Sequence, residues 1–161
     1  MEFKDIFMPR ITDIFMVDTP RQIAPAIRAT AAESELPGLI GSAFARLGSY
    51  IEREGLFPAD SPFVRIVGAD PAALQITIGL AVSSEDPRGD GEIEKFIIPA
   101  GKKIFCYYQG DSSLMSPVCE EMRLFAEEHG CRVEKGVYEY YLNGTEVGLD
   151  KLLTRIVISL K

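Results

Sequence analysis

The chain has 161 residues, 47% of them hydrophobic and 25% charged, the make-up of one globular domain with a substantial core. Its formal charge of −7 and the absence of any Lys/Arg-rich run argue against direct nucleic-acid binding, which needs a clustered basic face. No apolar run reaches the ~18 residues of a membrane span, Met1-Glu2-Phe3-Lys4-Asp5 opens no signal peptide, and Cys106, Cys119 and Cys131 form no CxxC. With a single histidine, His129, these cysteines predict reduced thiols in a cytoplasmic protein, without metal or cofactor.

Residues 1–20 read as an N-terminal arm in which Asp5-Ile6-Phe7-Met8 recurs as Asp13-Ile14-Phe15-Met16. Two exposed Phe-Met pairs would be a liability, so the arm is expected to pack on something, and core packing is the plain reading. Arg21 to Thr30 is strand-like, and Pro25 points to an edge position or a bulge. A helix is expected from about Leu36 to Glu54, with Pro37 in its first turn and Gly55 as its stop. Its apolar residues, among them Ala43, Leu47, Tyr50 and Ile51, recur at helical spacing. Pro62 to Gly68 and Leu74 to Val82 follow as strands.

Ser83 to Glu92 is polar and rich in Gly, Asp and Pro: a loop near the middle of the chain. The pattern then restarts. Phe96 to Ile98 and Lys102 to Gln109 are strand-like around Pro99-Ala100-Gly101. A second helix, begun by Ser113 or Ser116, runs to His129 and stops at Gly130. Val137 to Leu142 and Leu153 to Leu160 are the last strands.

The helix-ending glycines stand 130 − 55 = 75 positions apart. The chain is therefore expected to be α+β: a tandem β-α-β-β repeat of two pseudo-symmetric halves (21–85 and 92–161) in one domain, an antiparallel sheet with two main helices. The seam between such halves is a natural place for a ligand cleft. Carried onward, the same offset sets Glu139 against Val64. Alternation places Val137, Glu139 and Tyr141 on one strand face and Tyr138, Tyr140 and Leu142 on the other. Either that first face is wet and Glu139 is a solvent acid, or Glu139 is an acid held among apolar walls. A repeat that departs from itself at a charged position hints at a site.

Some features invite other readings. His129 at a helix C-terminus fits a cap better than a general base. Ser112, Ser113 and Ser116 lack a GxSxG elbow. Asp86, Asp90, Glu92 and Glu94 lack calcium-loop spacing.

Ordered along residues 21–161, a set of motifs resembles the GyrI-like small-molecule-binding domain, which also serves as the effector-binding module of AraC- and MerR-type multidrug regulators. They are Gln22 to Thr30, Glu54-Gly55-Leu56, Ser61-Pro62, Ile98-Pro99-Ala100-Gly101, Gln109-Gly110, Tyr138 to Asn143 and Thr154-Arg155-Ile156-Val157-Ile158. The resemblance implies a cleft between the halves in which the acid at the Glu139 position faces hydrophobic, cationic or planar aromatic small molecules. Tyr141 shares its face, and Tyr107 and Tyr108 are both held as candidates because the face of their strand is open. Where the family carries a Gly-Pro-aromatic motif, this chain has Gly110-Asp111-Ser112, so one expected pocket aromatic is missing. The alternatives are a hydrolase of strained electrophilic compounds with Glu139 as general base and Tyr141 beside it, and an inhibitor-type protein-interaction module. The oligomeric state stays open.

Overall fold

A computed structural model describes residues 10–161, so Asp5 to Met8 of the Phe-Met repeat lie outside the described residues. The fold is α+β, with antiparallel strands and two main helices. In chain order the elements are β1 (Phe15–Thr19), β2 (Gln22–Ala31), α1 (Leu36–Arg53), β3 (Phe63–Val67), β4 (Leu74–Gly79), β5 (Ile93–Ile98), β6 (Gly101–Gln109), α2 (Ser116–Glu128), β7 (Val137–Tyr141) and β8 (Leu153–Ser159). The repeat β-α-β-β occurs twice, as β2-α1-β3-β4 and β6-α2-β7-β8. Gly55 and Gly130 leave the two helices with φ of 63° and 71°, the left-handed turn-off that costs glycine least.

The packing divides the chain at Thr19–Pro20 and at Ala100–Gly101 into two compact units. In Pro20–Ala100 the strands run in the order β5-β2-β4-β3, and α1 lies on β2 and β4, burying Ala43, Leu47 and Ile51. In the other unit, 10–19 with 101–161, the order is β1-β6-β8-β7. There α2 buries Val118, Met122 and Ala126 against Cys106, Ile156 and Ile158. Met16 of β1 packs on this same core, while the half-exposed Phe15 sets its ring 5.3 Å from Phe105.

One connection is notable, and two local expectations, for Pro25 and for the start of α2, are corrected. Pro99-Ala100-Gly101 closes no hairpin: β5 pairs with β2, and β1, two residues short of β2, pairs instead with β6. The connectors Pro20-Arg21 and Pro99-Ala100 explain this, since a two-residue hairpin needs Gly, Asn or Asp at positive φ and proline is fixed near −65°. Pro25 lies in an inner strand. Its carbonyl accepts from Leu80 N at 3.2 Å, and the same register runs on to the Ile23–Val82 bridge, so the proline costs one rung of a pairing that continues on either side of it. Neither Ser113 nor Ser116 caps α2. A short 3₁₀ turn, Ser112–Leu114, precedes the helix, and the Asp111 carboxylate accepts from the Ser113 backbone N at 2.9 Å.

Gly79 is required by packing. A Cβ there would lie 2.7 Å from Cζ of the fully buried Phe63 and 3.2 Å from the Ala26 Cβ. Gly48, on the exposed side of α1, has nothing within 4 Å. Gly79→Ala is therefore expected to destabilise the protein by about 1–3 kcal/mol through overpacking. Gly48→Ala should stabilise it by about 0.5–1 kcal/mol through helix propensity. Urea unfolding midpoints that move in opposite directions for the two variants would bear this out.

Candidate functional site

Strand β7 is aromatic and β-branched except at Glu139, so it is built to be buried on both faces. Its register with β8 sets Glu139 opposite Ile156 and Tyr141 opposite Thr154. The β6–β8 register sets Cys106 opposite Ile156 and Tyr108 opposite Thr154. Residues directly opposite one another project from the same face, so Glu139, Ile156 and Cys106 form one row. Cys106 Sγ meets Met122 Sδ of α2 at 3.8 Å, which identifies this as the helix-covered face. The acid therefore points inward.

Glu139 is 9% exposed. Tyr141 Oη donates to its Oε1 at 2.9 Å, the contact expected of residues two apart on one strand face. Its other oxygen, Oε2, takes no hydrogen bond from the described residues, and no Lys or Arg among them pairs with it. Burial pushes the carboxyl up to about 7, and the Tyr141 hydrogen bond pulls the other way without cancelling it. Burial likewise raises the Tyr141 phenol well above its usual range, with the Glu139 charge adding to the effect. Close to neutral pH the site thus holds one proton that is neither firmly bound nor firmly lost.

The other sequence candidates fall in different places. Tyr108 shares the face of Glu139, but β8 stands between their strands and the Tyr108 hydroxyl donates to the Asp111 carbonyl at 2.8 Å. Tyr107 projects from the opposite face, edge-on to Phe105 with centroids 6.0 Å apart. That face also carries Tyr138 stacked on Tyr140 and the Arg155 guanidinium 4.2 Å from the Tyr140 ring centroid. Of the four, Glu139 and Tyr141 are brought together. Sequence reasoning left Cys119 among the inert thiols, yet the Glu139 charge is the second cause, after burial, that raises this thiol to about 11. Its place on α2 beside the Val118–Met122 stripe was the available signal.

The remaining groups have structural roles. His129 Nδ1 lies 2.7 Å from the Phe125 carbonyl and its ring stacks on Phe125, closing the helix end as expected. A depression of about 470 Å³ on the Pro20–Ala100 unit is lined by Arg46, Ser49, Tyr50, Arg53, Asp90 and Glu92. Its arginines are engaged in Arg46–Glu92 and Arg53–Asp90 ion pairs, with the acids about half exposed, so these loop acids are solvated and paired at once. Among the described residues no group of three His, Cys, Asp or Glu could hold a metal ion, and no helix is long and apolar enough to cross a membrane.

Comparison with known proteins gives a family match over nearly the whole chain. A family model described as a GyrI-like small molecule binding domain matches residues 12–161. Among solved structures, the EcmrR C-terminal domain aligns with a TM-score of 0.78 at 15% identity, covering 94% of this chain and 98% of that one. In the DNA complex of EcmrR this chain spans 60% of the EcmrR chain. A hydrolase encoded by lin2189 from Listeria innocua aligns at 0.71 and 12% identity, over 99% of this chain and 96% of that one. SAV2435 bound to tetraphenylphosphonium aligns at 0.64 and 12% identity, over 93% and 94%. At such identities the likeness speaks for the fold alone. None of the curated proteins matches the chain by sequence.

The raised carboxyl has a consequence for stability. Its folded-state value of about 7 lies above the ordinary 4.5, so between these the unfolded chain gives up a proton that the folded chain keeps. Stability is therefore full below about pH 4.5 and falls as pH rises toward 7, by on the order of 3 kcal/mol in all. Glu139→Gln, which keeps the neutral shape, should escape this loss. Its melting temperature relative to wild type should climb from pH 5 to pH 8; parallel pH profiles would return Glu139 to the solvent.

Proposed function

The chain belongs to the GyrI-like small-molecule-binding domain family, and we propose that its Glu139 carboxylate is the counter-charge for a hydrophobic ligand that is cationic or planar aromatic. The observation that carries this reading is a carboxyl nine-tenths buried whose hydrogen-bond donor among the described residues is the neutral Tyr141 hydroxyl. An ionised carboxylate in such surroundings is costly unless a charge arrives with the ligand. A lipophilic cation brings that charge together with apolar surface that has its own reason to leave water. The Tyr141 ring adds cation–π attraction, ~0.5–2 kcal/mol for a good contact. The tetraphenylphosphonium held by SAV2435, a protein of the same fold, is a ligand of this chemistry. A cytoplasmic location suits the three free thiols.

A second reading has one observation in its favour. A carboxyl poised at about 7 is suited to act as a general base at neutral pH, and the Listeria innocua neighbour is described as a hydrolase. In that case Glu139→Gln would abolish turnover of a strained electrophile while leaving its uptake intact. A pure binder would show no turnover in either protein.

Titration of tetraphenylphosphonium into wild type and Glu139→Gln tests the primary reading. The substitution is expected to weaken binding by about tenfold or more, ~1.4 kcal/mol. Because the cation prefers the ionised acid, a proton must leave when it binds below pH 7. Wild-type affinity should therefore fall toward tenfold per pH unit below about 7, and that of Glu139→Gln should stay flat. Equal affinities at every pH would remove Glu139 from the ligand site.

A further inference from the structure

Helix α2 lies over its sheet with Met115, Val118, Met122 and Ala126 facing down. The two flanks of the helix then face different strands. Glu121 pairs with Arg10 at 2.7 Å, and the residues around Arg10 pair with β6 through Tyr107 and Tyr108. The Glu121 flank therefore overhangs the β1–β6 side of the unit. At 3.6 residues per turn, Cys119, two positions earlier, projects from the other flank, toward β8 and β7. That is the side on which Glu139 rises from the same sheet face. The half-buried thiol and the buried acid thus lie on the same side of the unit, between α2 and the β7–β8 part of the sheet.

We propose that Cys119 is a wall of the Glu139 site and sets the bulk of the ligand admitted beside the carboxylate. The inference rests on the reading of Glu139 as the ligand's counter-charge. Two independent features support the placement. Oε2 of Glu139, on a side chain nine-tenths buried, takes no hydrogen bond from the described residues, so an acceptor stands open on this face. The Cys119 thiol, raised to about 11 by burial and then by the Glu139 charge, stays neutral and adds no second anion to the site. Arg123, one turn further along the same flank, is held by Glu120 at 3.4 Å, which directs this cation to the exposed side of the helix. What remains at the wall is a small, polarisable sulfur, a good surface for an aromatic ring.

Tetraphenylphosphonium is again the probe. Cys119→Trp, which fills the space, should weaken its binding by about tenfold or more, whereas Cys119→Ala should stay within about threefold of wild type. Wild-type protein gives a second readout that needs no substitution: alkylation by N-ethylmaleimide, followed peptide by peptide. Saturating tetraphenylphosphonium should slow modification of Cys119 several-fold and leave Cys131 unchanged. If Cys119→Trp does not fold, this protection decides the matter. Binding that is lost in Glu139→Gln but untouched in Cys119→Trp would overturn the wall alone, as would undiminished alkylation of Cys119 in the saturated complex. No binding to wild type would overturn the Glu139 reading, and the wall with it.

Discussion

A single hydrogen bond, Tyr141 Oη to Glu139 Oε1, holds together what is unusual in this protein. A carboxylate among apolar walls is costly, and full compensation would take an opposite charge or several donors. A neutral hydroxyl supplies part of that, on the order of 1.5–3 kcal/mol for a bond to a charged group. The acid is thus neither expelled nor fully settled. Strand geometry makes the arrangement possible, because residues two apart on β7 rise side by side from one face. Helix α2 covers the same sheet face over β6 and β8.

The surrounding fold explains why the acid sits on only one side of the repeat. In the Pro20–Ala100 unit, Ile27, Ile78 and Val64 stand opposite one another across β2, β4 and β3. In the other unit Cys106, Ile156 and Glu139 make the corresponding row across β6, β8 and β7. One row is wholly apolar and serves only the core. The second has exchanged a branched hydrocarbon for an acid on a strand that is still paired and still buried. The β-α-β-β unit tolerates the change because backbone pairing, not the side chain at this position, fixes the register. The stability given up at one position is borne by a core built from Ile104, Ile156, Ile158 and Met122 around it.

Much of this was readable in the sequence, for identifiable reasons. Both helices were marked by periodic apolar residues and by Gly55 and Gly130. The face shared by Glu139 and Tyr141 followed from alternation alone. What failed to show was long-range pairing. The pairing of β1 with β6 and of β5 with β2 is set by proline-bearing connectors that refuse a hairpin, and a local reading cannot tell which distant strand accepts the freed edge. Pro25 was misplaced for the same reason: its strand is central, and the pairing spans the one missing donor by continuing to Ile23 and Val82. The face of Tyr107 and Tyr108 stayed open because β6 is apolar on both sides, so period-2 contrast vanishes. Cys119 went unremarked because a half-buried thiol on a helix flank looks like any other until the strand beneath it is known.

Under the proposed reading of Glu139 as the ligand's counter-charge, the position of the carboxyl on the pH scale would set the selectivity of the site. Under that reading a proton and a lipophilic cation would compete for the same oxygens, so binding near neutral pH would exchange one positive charge for another and leave the unit's charge unchanged. With the carboxyl at about 7 that exchange is nearly free of cost at pH 7. Held two units higher, it would oblige the ligand to supply about 2.7 kcal/mol merely to displace the proton. Held at the ordinary value, it would be ionised throughout and would favour small hydrated ions as readily as bulky ones. A burial deep enough to make the bare charge unwelcome, yet softened by one phenol, lies between these limits. Under the proposed reading it would favour ligands that carry their charge inside an apolar shell. It places little demand on hydrogen-bond geometry, so the walls around the acid, rather than the acid, are left to discriminate among such ligands.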